Sequence, residues 1–356
     1  MIFRRKTREG HTAAAEPPVS GRSEIAEADR LEADGQVFEA IDLLRAANRN
    51  ERDVAIERRI LQLRHAAGTQ LKGQAVPPSD VSPDFSQLPE GVLPEVPADR
   101  LSPELLRAAI ESSGCLLVRG VVPADEAVGL VAEIERAFEV RDQAEGDPVA
   151  AAGYFEPLRP EAERADIERL DAERVWVTDA GGVWAADSPR VMFDVLESFE
   201  RAGLRELITA YLGERPAISV NKCTFRKVSP EAGTAWHQDG AFLGDVKSMN
   251  VWLSLSHCGD TAPGMDIIPK RFTEIVPTGT DDAIFDWSVS DAQTDRSRGE
   301  VPILRPIFEP GDVLLFDDLF LHRTAAEKTM PNDRYAVESW FFGPSAFPEG
   351  YVPLVF

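Results

Sequence analysis

The sequence has few cysteines, and they are not spaced as pairs. Only Cys115, Cys223 and Cys258 occur among 356 residues, which is an odd number without Cys-x-x-Cys spacing. This pattern argues against a disulfide framework and against a zinc ribbon, and it fits a reducing compartment. We therefore expect a cytoplasmic protein with free thiols.

Long apolar runs are absent and positive charge is in deficit. No apolar stretch is long enough to cross a bilayer, and none follows the basic start Met1–Lys6, so we expect neither a membrane span nor a secretory signal. The 38 basic residues against 61 acidic ones give a net charge of -23. Such a surface repels nucleic-acid phosphates and anionic membranes, so we expect partners of neither kind.

The first hundred residues divide by composition into three segments. Residues 1–22 are basic and then rich in Ala, Pro and Ser, which predicts a disordered tail. In residues 23–72 apolar positions recur at helical spacing around Gly35, which predicts a helical hairpin similar to one tetratricopeptide-type unit. Such a hairpin would pack on the main domain, or serve self-association or a protein partner. Residues 73–100 are rich in proline, which predicts a linker or an extended arm.

Residues 101–356 form the predicted main domain, in which helices precede strands. We predict helices over 103–113, after Pro123 and over 189–212, and short strands over 115–119 and 174–178. After Gly213, further strands separated by Gly and Pro turns are predicted over 217–228, 248–256, 266–269, 303–308, 312–316 and 335–342. This order predicts an α+β fold with a jelly-roll core and flanking helices rather than a parallel α/β sheet.

Histidine is also scarce, and two of the five histidines stand in a metal-binding pattern. In Trp236-His237-Gln238-Asp239 an imidazole and a carboxylate are two residues apart, so on an extended strand they face one centre. A turn and a buried strand over 309–316 lead to His322. Two imidazoles and one carboxylate suit Fe(II) and leave positions open for a cosubstrate and oxygen. A structural zinc site would instead use four protein ligands, usually including cysteine.

Several motifs together resemble one family, the phytanoyl-CoA dioxygenase-like branch of the Fe(II)/2-oxoglutarate oxygenases. The resemblance covers about residues 101–342. Its motifs are Trp236-His237-Gln238-Asp239-Gly240, Asn250-Val251-Trp252-Leu253-Ser254-Leu255, Ile267-Ile268-Pro269, Pro310-Gly311-Asp312-Val313-Leu314-Leu315-Phe316, His322 and Asp333-Arg334-Tyr335. The resemblance implies a double-stranded β-helix that uses Fe(II), 2-oxoglutarate and O2.

The same resemblance implies roles for individual residues. His237, Asp239 and His322 would be the iron ligands. Arg334 would bind the distal carboxylate of 2-oxoglutarate, because a planar guanidinium offers a carboxylate two parallel hydrogen bonds. Thr324 would assist that carboxylate with its hydroxyl. Trp252 stands where the cosubstrate pocket is lined, although an ordinary core tryptophan is an equal alternative.

The strand before the first ligand pair carries a further candidate. Strand alternation puts Lys222 and Thr224 on one face with Arg226. If that face turns inward, Lys222 would join the cofactor-binding residues. A solvated strand face is the alternative.

The resemblance implies hydroxylation of a C–H bond in a small-molecule substrate, with release of succinate and CO2. Halogenating relatives lack the carboxylate ligand, so Asp239 favours a hydroxylase. The Pro-Gly-Ser-His often found in the family is replaced by Pro269-Lys270-Arg271-Phe272, so a coenzyme A thioester is not implied. Residues 141–187 and 270–300 are candidate lids.

Two other hypotheses remain open. One is a non-catalytic or regulatory metal-binding jelly roll with a helical interaction module. The other is a cupin-like metalloenzyme that does not use 2-oxoglutarate. Arg334 separates both from the main hypothesis.

Overall fold

The computed structural model describes residues 21–74, 76–77, 79–143, 148–160, 164–233, 235–244 and 246–356. The predicted tail over 1–22 lies outside these residues, apart from Gly21 and Arg22 at the start of the first helix.

Helices dominate the first 212 residues and strands the remainder. The α-helices are α1 Arg22–Ala33, α2 Val37–Asn50, α3 Val54–Leu71, α4 Pro103–Ser113, α5 Ala124–Asp142, α6 Pro148–Ala151, α7 Arg164–Asp179, α8 Pro189–Arg201, α9 Leu204–Leu212, α10 Gly240–Leu243 and α11 Asp291–Arg298. The strands are β1 Glu95–Pro97, β2 Cys115–Arg119, β3 Gly182–Trp184, β4 Ala217–Val228, β5 Ser248–Ser254, β6 Gly264–Ile267, β7 Val313–Phe316, β8 His322–Ala325, β9 Arg334–Phe342 and β10 Pro353–Val355.

The described strands form one large and one small sheet. The large sheet has the order β1-β2-β7-β5-β9-β4-β10, with β3 paired to β4, and only the β1–β2 pair within it is parallel. The small sheet pairs β6 with β8 antiparallel, and the single-residue pairs His237–His322 and Ile267–Leu304 extend it. Helices and mainly antiparallel strands confirm the predicted α+β class.

The two faces of the large sheet pack against different layers. Side chains alternate along each strand. Leu116 and Val251 therefore pack in one cluster with α4, α5, α8 and α9. Leu117 and Trp252 point to the opposite face and pack with Ile267 of the small sheet. Polar side chains that point into the space between the two sheets are therefore separated from α4, α5, α8 and α9 by the large sheet.

The N-terminal segment contains three helices, one more than a hairpin has. Gly35, at φ +80°, provides the turn between α1 and α2, and Asp53 caps α3 by accepting a hydrogen bond from the amide of Ala55. Buried Arg64 of α3 donates to the carbonyl of Val355 in β10 at 2.6 Å. This layer is thus packed onto the large sheet.

The Pro-rich segment also contacts the main sheet. Residues 95–97 form β1, which pairs with β2 at the sheet edge. Proline at the end of an edge strand costs no ladder hydrogen bond. All three cysteines are free and buried. Among the described residues, no helix is both long and apolar enough to cross a membrane.

Three predicted elements were wrong in kind or extent. Residues 174–178 lie in α7 rather than in a strand, because buried Leu170 and Val177 share a helical face while Val175 and Trp176 are exposed. The helix predicted over 189–212 is two helices, separated at Gly203 with φ +72°. Residues 303–308 form only isolated pairs rather than a strand.

Candidate metal centre

The two histidines of the sequence pattern lie side by side. The amide of His237 donates to the carbonyl of His322 at 3.0 Å, and the reverse hydrogen bond is 3.1 Å long. The ring centroids are 4.4 Å apart. An antiparallel bridge between two distant parts of the chain therefore brings the imidazoles to one place.

Asp239 joins them through a turn. We expected a continuous strand from 237 to 239, and this was wrong: Asp239 has φ -64° and ψ -25° and directly precedes α10, without a capping hydrogen bond from its side chain. Its Oδ2 is 3.8 Å from Nε2 of His322, and one ligand atom from each triad residue lies within 4.8 Å of the others. Gln238 turns away, as predicted, accepting from the amide of Val276 and donating to the carbonyl of Leu319.

Backbone carbonyls fix the orientation of both imidazoles. Nδ1 of His237 lies 2.9 Å from the carbonyl of Ala235, and Nδ1 of His322 lies 3.1 Å from the carbonyl of Phe320. A carbonyl only accepts hydrogen bonds, so each Nδ1 carries the proton. Each Nε2 is then left with the lone pair that a metal ion requires.

The buried carboxylate is the clearest sign that a cation belongs here. Asp239 is 3% exposed, and its Oδ2 has no hydrogen-bond partner. Burial raises the pKa of Asp239, which nearby His237 and Lys222 partly oppose, and burial and His237 lower the pKa of His322 well below its usual value. An unpartnered buried carboxylate oxygen is costly, and a divalent metal held with two neutral imidazoles would remove that cost.

A cavity of about 920 Å³ opens over the triad. All the predicted site residues line it: His237, Asp239, His322, Arg334, Thr324, Trp252 and Lys222. Parts of both candidate lids also line it, through residues 173–181 and 284–287. A concave, largely apolar space with a few convergent polar groups is typical of a ligand-binding site.

Arg334 enters this cavity as a buried cation without an acidic partner. It is 3% exposed, its Nη1 donates to the carbonyl of Gly264 at 2.9 Å, and its guanidinium lies 5.4 Å from the ring of Trp252. Its Nε has no hydrogen-bond partner, and burial lowers the pKa of Arg334 to about 10. No carboxylate of the described residues lies within ion-pair distance of it. The arrangement leaves donors free for an anionic ligand.

A second arginine, Arg323, follows His322 directly and could compete with Arg334 for a carboxylate, but it is already engaged elsewhere. Arg323 forms ion pairs with Asp266 at 3.0 Å and with Asp291 at 3.1 Å, and it stacks over Trp236 at 4.6 Å. It does not line the cavity. The preference for Arg334 over Arg323 therefore has a structural basis.

The remaining predicted residues occupy distinct parts of the lining. Thr324 lies two residues after His322 on β8 and faces the same cavity. Lys222 Nζ is 4.0 Å from Oδ1 of Asp239 and 3.9 Å from the ring centroid of Phe242. The face of β4 that carries Lys222, Thr224 and Arg226 turns inward, so the solvated alternative was wrong.

Several lining residues were not predicted, among them Asn250, Glu338 and Trp287. Asn250, whose buried Oδ1 lacks a partner, and Glu338 could have been found by counting two residues from Trp252 and four from Arg334 along their strands. Trp287 packs edge-on against His237 with a centroid distance of 5.7 Å. Trp287 lies in a long irregular segment, where no helix or strand periodicity predicts which way a side chain points.

The fold and site define an α+β protein with two histidines and a carboxylate placed to bind a metal. The family described as Phytanoyl-CoA dioxygenase (PhyH) matches residues 110–334, which include the triad and Arg334. The chain therefore belongs to the phytanoyl-CoA dioxygenase family.

Several solved structures are distantly similar. The non-heme alpha ketoglutarate dependent epimerase SnoN from nogalamycin biosynthesis is 16% identical with a TM-score of 0.42, covering 67% of this chain and 82% of that chain. The carbocyclase SnoK from nogalamycin biosynthesis is 15% identical with a TM-score of 0.45, covering 69% and 85%. EctD from S. alaskensis with 2-oxoglutarate and 5-hydroxyectoine is 17% identical with a TM-score of 0.47, covering 70% and 79%. No curated protein matches the chain.

Proposed function

We propose that this protein is an Fe(II)/2-oxoglutarate-dependent oxygenase that hydroxylates a C–H bond of a small molecule. The substrate, 2-oxoglutarate and O2 would give the hydroxylated product, succinate and CO2. One observation carries the proposal: the His237–Asp239–His322 set and the unpaired guanidinium of Arg334 open into the same cavity. Membership of the phytanoyl-CoA dioxygenase family supports it.

The architecture supports a double-stranded β-helix. The large and small sheets face each other around the triad, and β8 brings His322 against Phe316 of the large sheet, with ring centroids 4.9 Å apart. A jelly roll consists of two such facing antiparallel sheets. Its interior shields the reacting groups from bulk water.

Each proposed role follows from a contact. His237 and His322 would offer Nε2, and Asp239 would offer its unpartnered Oδ2 to Fe(II). Bound there, the ferrous ion and 2-oxoglutarate supply the oxidising chemistry. Arg334 would donate from its unpartnered Nε side to the distal carboxylate, with Thr324 adding a hydroxyl. Trp252 supports the guanidinium from beneath, and Lys222 adds positive charge beside Asp239.

Hydroxylation is proposed over halogenation because the carboxylate is present. Asp239 would take the metal position that a halide needs. The three ligand atoms lie within 4.8 Å of one another, so the triad would supply three ligands to one metal ion and would leave its other positions for the cosubstrate and oxygen.

Arg334 also counts against the two alternative hypotheses. A buried cation without an acidic partner is destabilising in a purely structural or regulatory jelly roll. In a cupin-like metalloenzyme that does not use 2-oxoglutarate, the buried guanidinium of Arg334 would have no anionic cosubstrate to bind. An anionic cosubstrate gives the guanidinium a partner.

The test is an anaerobic titration of the purified protein with Fe(II) and 2-oxoglutarate, followed by the weak visible charge-transfer band. Wild type should develop the band. Arg334→Gln should need at least about ten-fold more 2-oxoglutarate, because charged hydrogen bonds contribute about 1.5–3 kcal/mol each. Arg136→Gln, which changes an exposed helical arginine, is the matched control. No band in wild type, or equal cosubstrate dependence in Arg334→Gln, would refute the proposal.

We also propose the division into a helical layer over 23–72, a Pro-rich connection over 73–100 and an oxygenase domain over 101–356. The contact of Arg64 with β10 supports a layer that stabilises the domain. Self-association or partner binding through this layer stays a prediction. Sedimentation of the intact protein over a range of concentrations tests the first possibility.

A further inference from the structure

The cavity contains a second, partly exposed guanidinium, and no described residue engages it by a hydrogen bond or an ion pair. Arg226 of β4 lines the cavity, its Nε is buried without a hydrogen-bond partner, and no described residue forms an ion pair with it. Because Arg226 pairs with Ala336 across the β4–β9 ladder, Arg334 and Glu338 are its diagonal neighbours on the same face. The guanidinium of Arg226 is therefore on the strand next to Arg334, the residue proposed to bind 2-oxoglutarate, and diagonal to it.

Glu338 does not neutralise Arg226 by direct contact. The Glu338 carboxylate lines the same cavity and forms no hydrogen bond or ion pair with the described residues. Arg226 and Glu338 both act electrostatically on Asp239 and on Arg334, so they belong to the same field as the metal site.

Charges near the rim are matched by neighbours or by solvent. Lys227 lies 2.8 Å from Glu135 and 3.8 Å from Asp333, whose side chain is 38% exposed, and Glu173 lies 3.7 Å from Arg169. Asp179 is exposed. Because these rim charges are paired or screened by solvent, they contribute little to the electrostatic potential at a ligand inside the cavity.

Apart from the rim residues, the cavity lining has three positively charged and two negatively charged side chains, an excess of one positive charge. Lys222, Arg226 and Arg334 face the carboxylates of Asp239 and Glu338. On the proposed function, a ferrous ion and the 2-oxoglutarate dianion cancel each other. One further negative charge would balance the site, which favours a monoanion such as a carboxylate over a phosphate dianion.

Aromatic side chains form another part of the lining, and they reach Lys222 through Phe242. Trp287 and Phe285 stack at 4.9 Å with their planes 6° apart, and Trp287 also packs edge-on against Phe242 at 6.2 Å. Since Trp287 contacts His237 as well, this wall stands directly beside the metal-binding residues. Flat apolar groups pack well on such a surface.

We propose that the substrate is an organic monocarboxylate with a flat apolar body, its carboxylate held by Arg226 and its body packed on the Trp287–Phe285 wall. Arg226 is then a specificity-determining residue, distinct from Arg334 in the cosubstrate pocket. The inference rests on the proposed function and names the substrate class for that site.

The experiment uses the full chain loaded anaerobically with Fe(II) and 2-oxoglutarate, so that Arg334 is already occupied. Isothermal titration calorimetry compares 3-phenylpropionate and indole-3-acetate with their primary amides, and with phenyl phosphate as a dianion. Wild type should bind each carboxylate at least about ten-fold more tightly than its amide, as a charged bidentate contact implies. Arg226→Gln should bring that ratio to about one, and the control Arg136→Gln should leave it unchanged.

Arg226→Lys decides the case if Arg226→Gln does not fold. Lysine keeps a point charge and loses the fork, so the preference should fall several-fold and remain above one. The inference is overturned if either folded variant keeps the wild-type ratio, if no carboxylate is preferred, or if phenyl phosphate binds more tightly than 3-phenylpropionate. It is also overturned if Arg226→Gln weakens 2-oxoglutarate binding as strongly as Arg334→Gln. If the wild-type protein shows no charge-transfer band with Fe(II) and 2-oxoglutarate, the proposed function itself is refuted.

Discussion

Arg45 in α2 offers a direct test of whether the N-terminal helices are part of the folded enzyme. Its Nε donates to Oε1 of Glu197 in α8 at 2.7 Å, and its Nη1 is 3.0 Å from Glu200. The side chains of Arg45 and Glu197 are only 7% and 6% exposed. Removing one partner of a buried ion pair leaves the other charge uncompensated, which costs about 3–5 kcal/mol.

We predict that Arg45→Met lowers the free energy of unfolding at pH 7 by about 3–4 kcal/mol, toward the lower end because Arg49 still contacts Glu197. Arg49→Met is the control, since Arg49 is 52% exposed and its loss should cost about 1 kcal/mol or less. The double variant Arg45→Met/Glu197→Leu should recover much of the loss, because apolar residues can replace a buried pair.

Urea denaturation followed by circular dichroism measures these differences, with equal slopes showing that the unfolded states are comparable. The reasoning is refuted if Arg45→Met and Arg49→Met cost the same. It is also refuted if α1–α3 unfold in a separate, earlier transition that leaves the oxygenase domain unaffected.

The pH dependence of the same contact has a defined sign. Burial raises the pKa of Glu197, but hydrogen bonds and charge from Arg45 and Arg49 outweigh it and leave the pKa below the usual 4.5. A carboxylate with a lowered pKa in the folded state stabilises above its unfolded pKa and loses that contribution as the pH falls through the folded value. The difference in the free energy of unfolding between wild type and Glu197→Gln should therefore become smaller below pH 4.5. Urea denaturation at several pH values measures this difference.

Three other predictions concern the site and the turn between α8 and α9. Asp239→Ala should abolish stoichiometric Fe(II) binding, measured by metal analysis after desalting, while the melting temperature stays equal or rises, because the unpartnered buried carboxylate is removed; retained stoichiometric iron would exclude Asp239 as a ligand. Trp252→Leu should raise the 2-oxoglutarate concentration needed for half-saturation several-fold in the charge-transfer titration, because the guanidinium of Arg334 loses its aromatic support; an unchanged value would make Trp252 a core residue only. Gly203→Ala should lower the free energy of unfolding by about 1 kcal/mol in urea, since φ is +72° and a Cβ there would meet no atom within 4 Å, so only backbone strain acts; a stabilised variant would contradict this.

The metal-binding set was predictable because its chemistry is rare in this chain. With five histidines in 356 residues, a histidine two positions from an aspartate and a second histidine after a buried strand stand out. The physical means of convergence was not predictable. The His237–His322 bridge joins segments without local periodicity, and Asp239 reaches the centre through a helical turn rather than through strand alternation.

Secondary structure was missed where a short window was ambiguous. Residues 174–178 contain a short run of β-branched and aromatic residues, which favours a strand, whereas the buried positions Leu170 and Val177, seven residues apart, have helical spacing. The break between α8 and α9 depends on Gly203, and glycine inside a helical pattern does not by itself show which φ it adopts. The first error lies in α7, which lines the cavity, and the second in helices on the other face of the large sheet. Neither altered the predicted metal ligands.

Arg226 shows why a substrate is harder to predict than a cosubstrate. From the sequence, Arg226, Lys222 and Thr224 share a strand face, but alternation alone does not tell whether that face meets water or the cavity. The direction depends on β9 and β3 packing on either side of β4, which are contacts between segments far apart in the chain. Once the face is known to turn inward, it becomes informative that Arg226 has no hydrogen-bond or ion-pair partner among the described residues, because its charged donors are then open to an anionic ligand in the cavity. Since Arg334 is the residue proposed for the cosubstrate, we assign the second guanidinium to the other ligand.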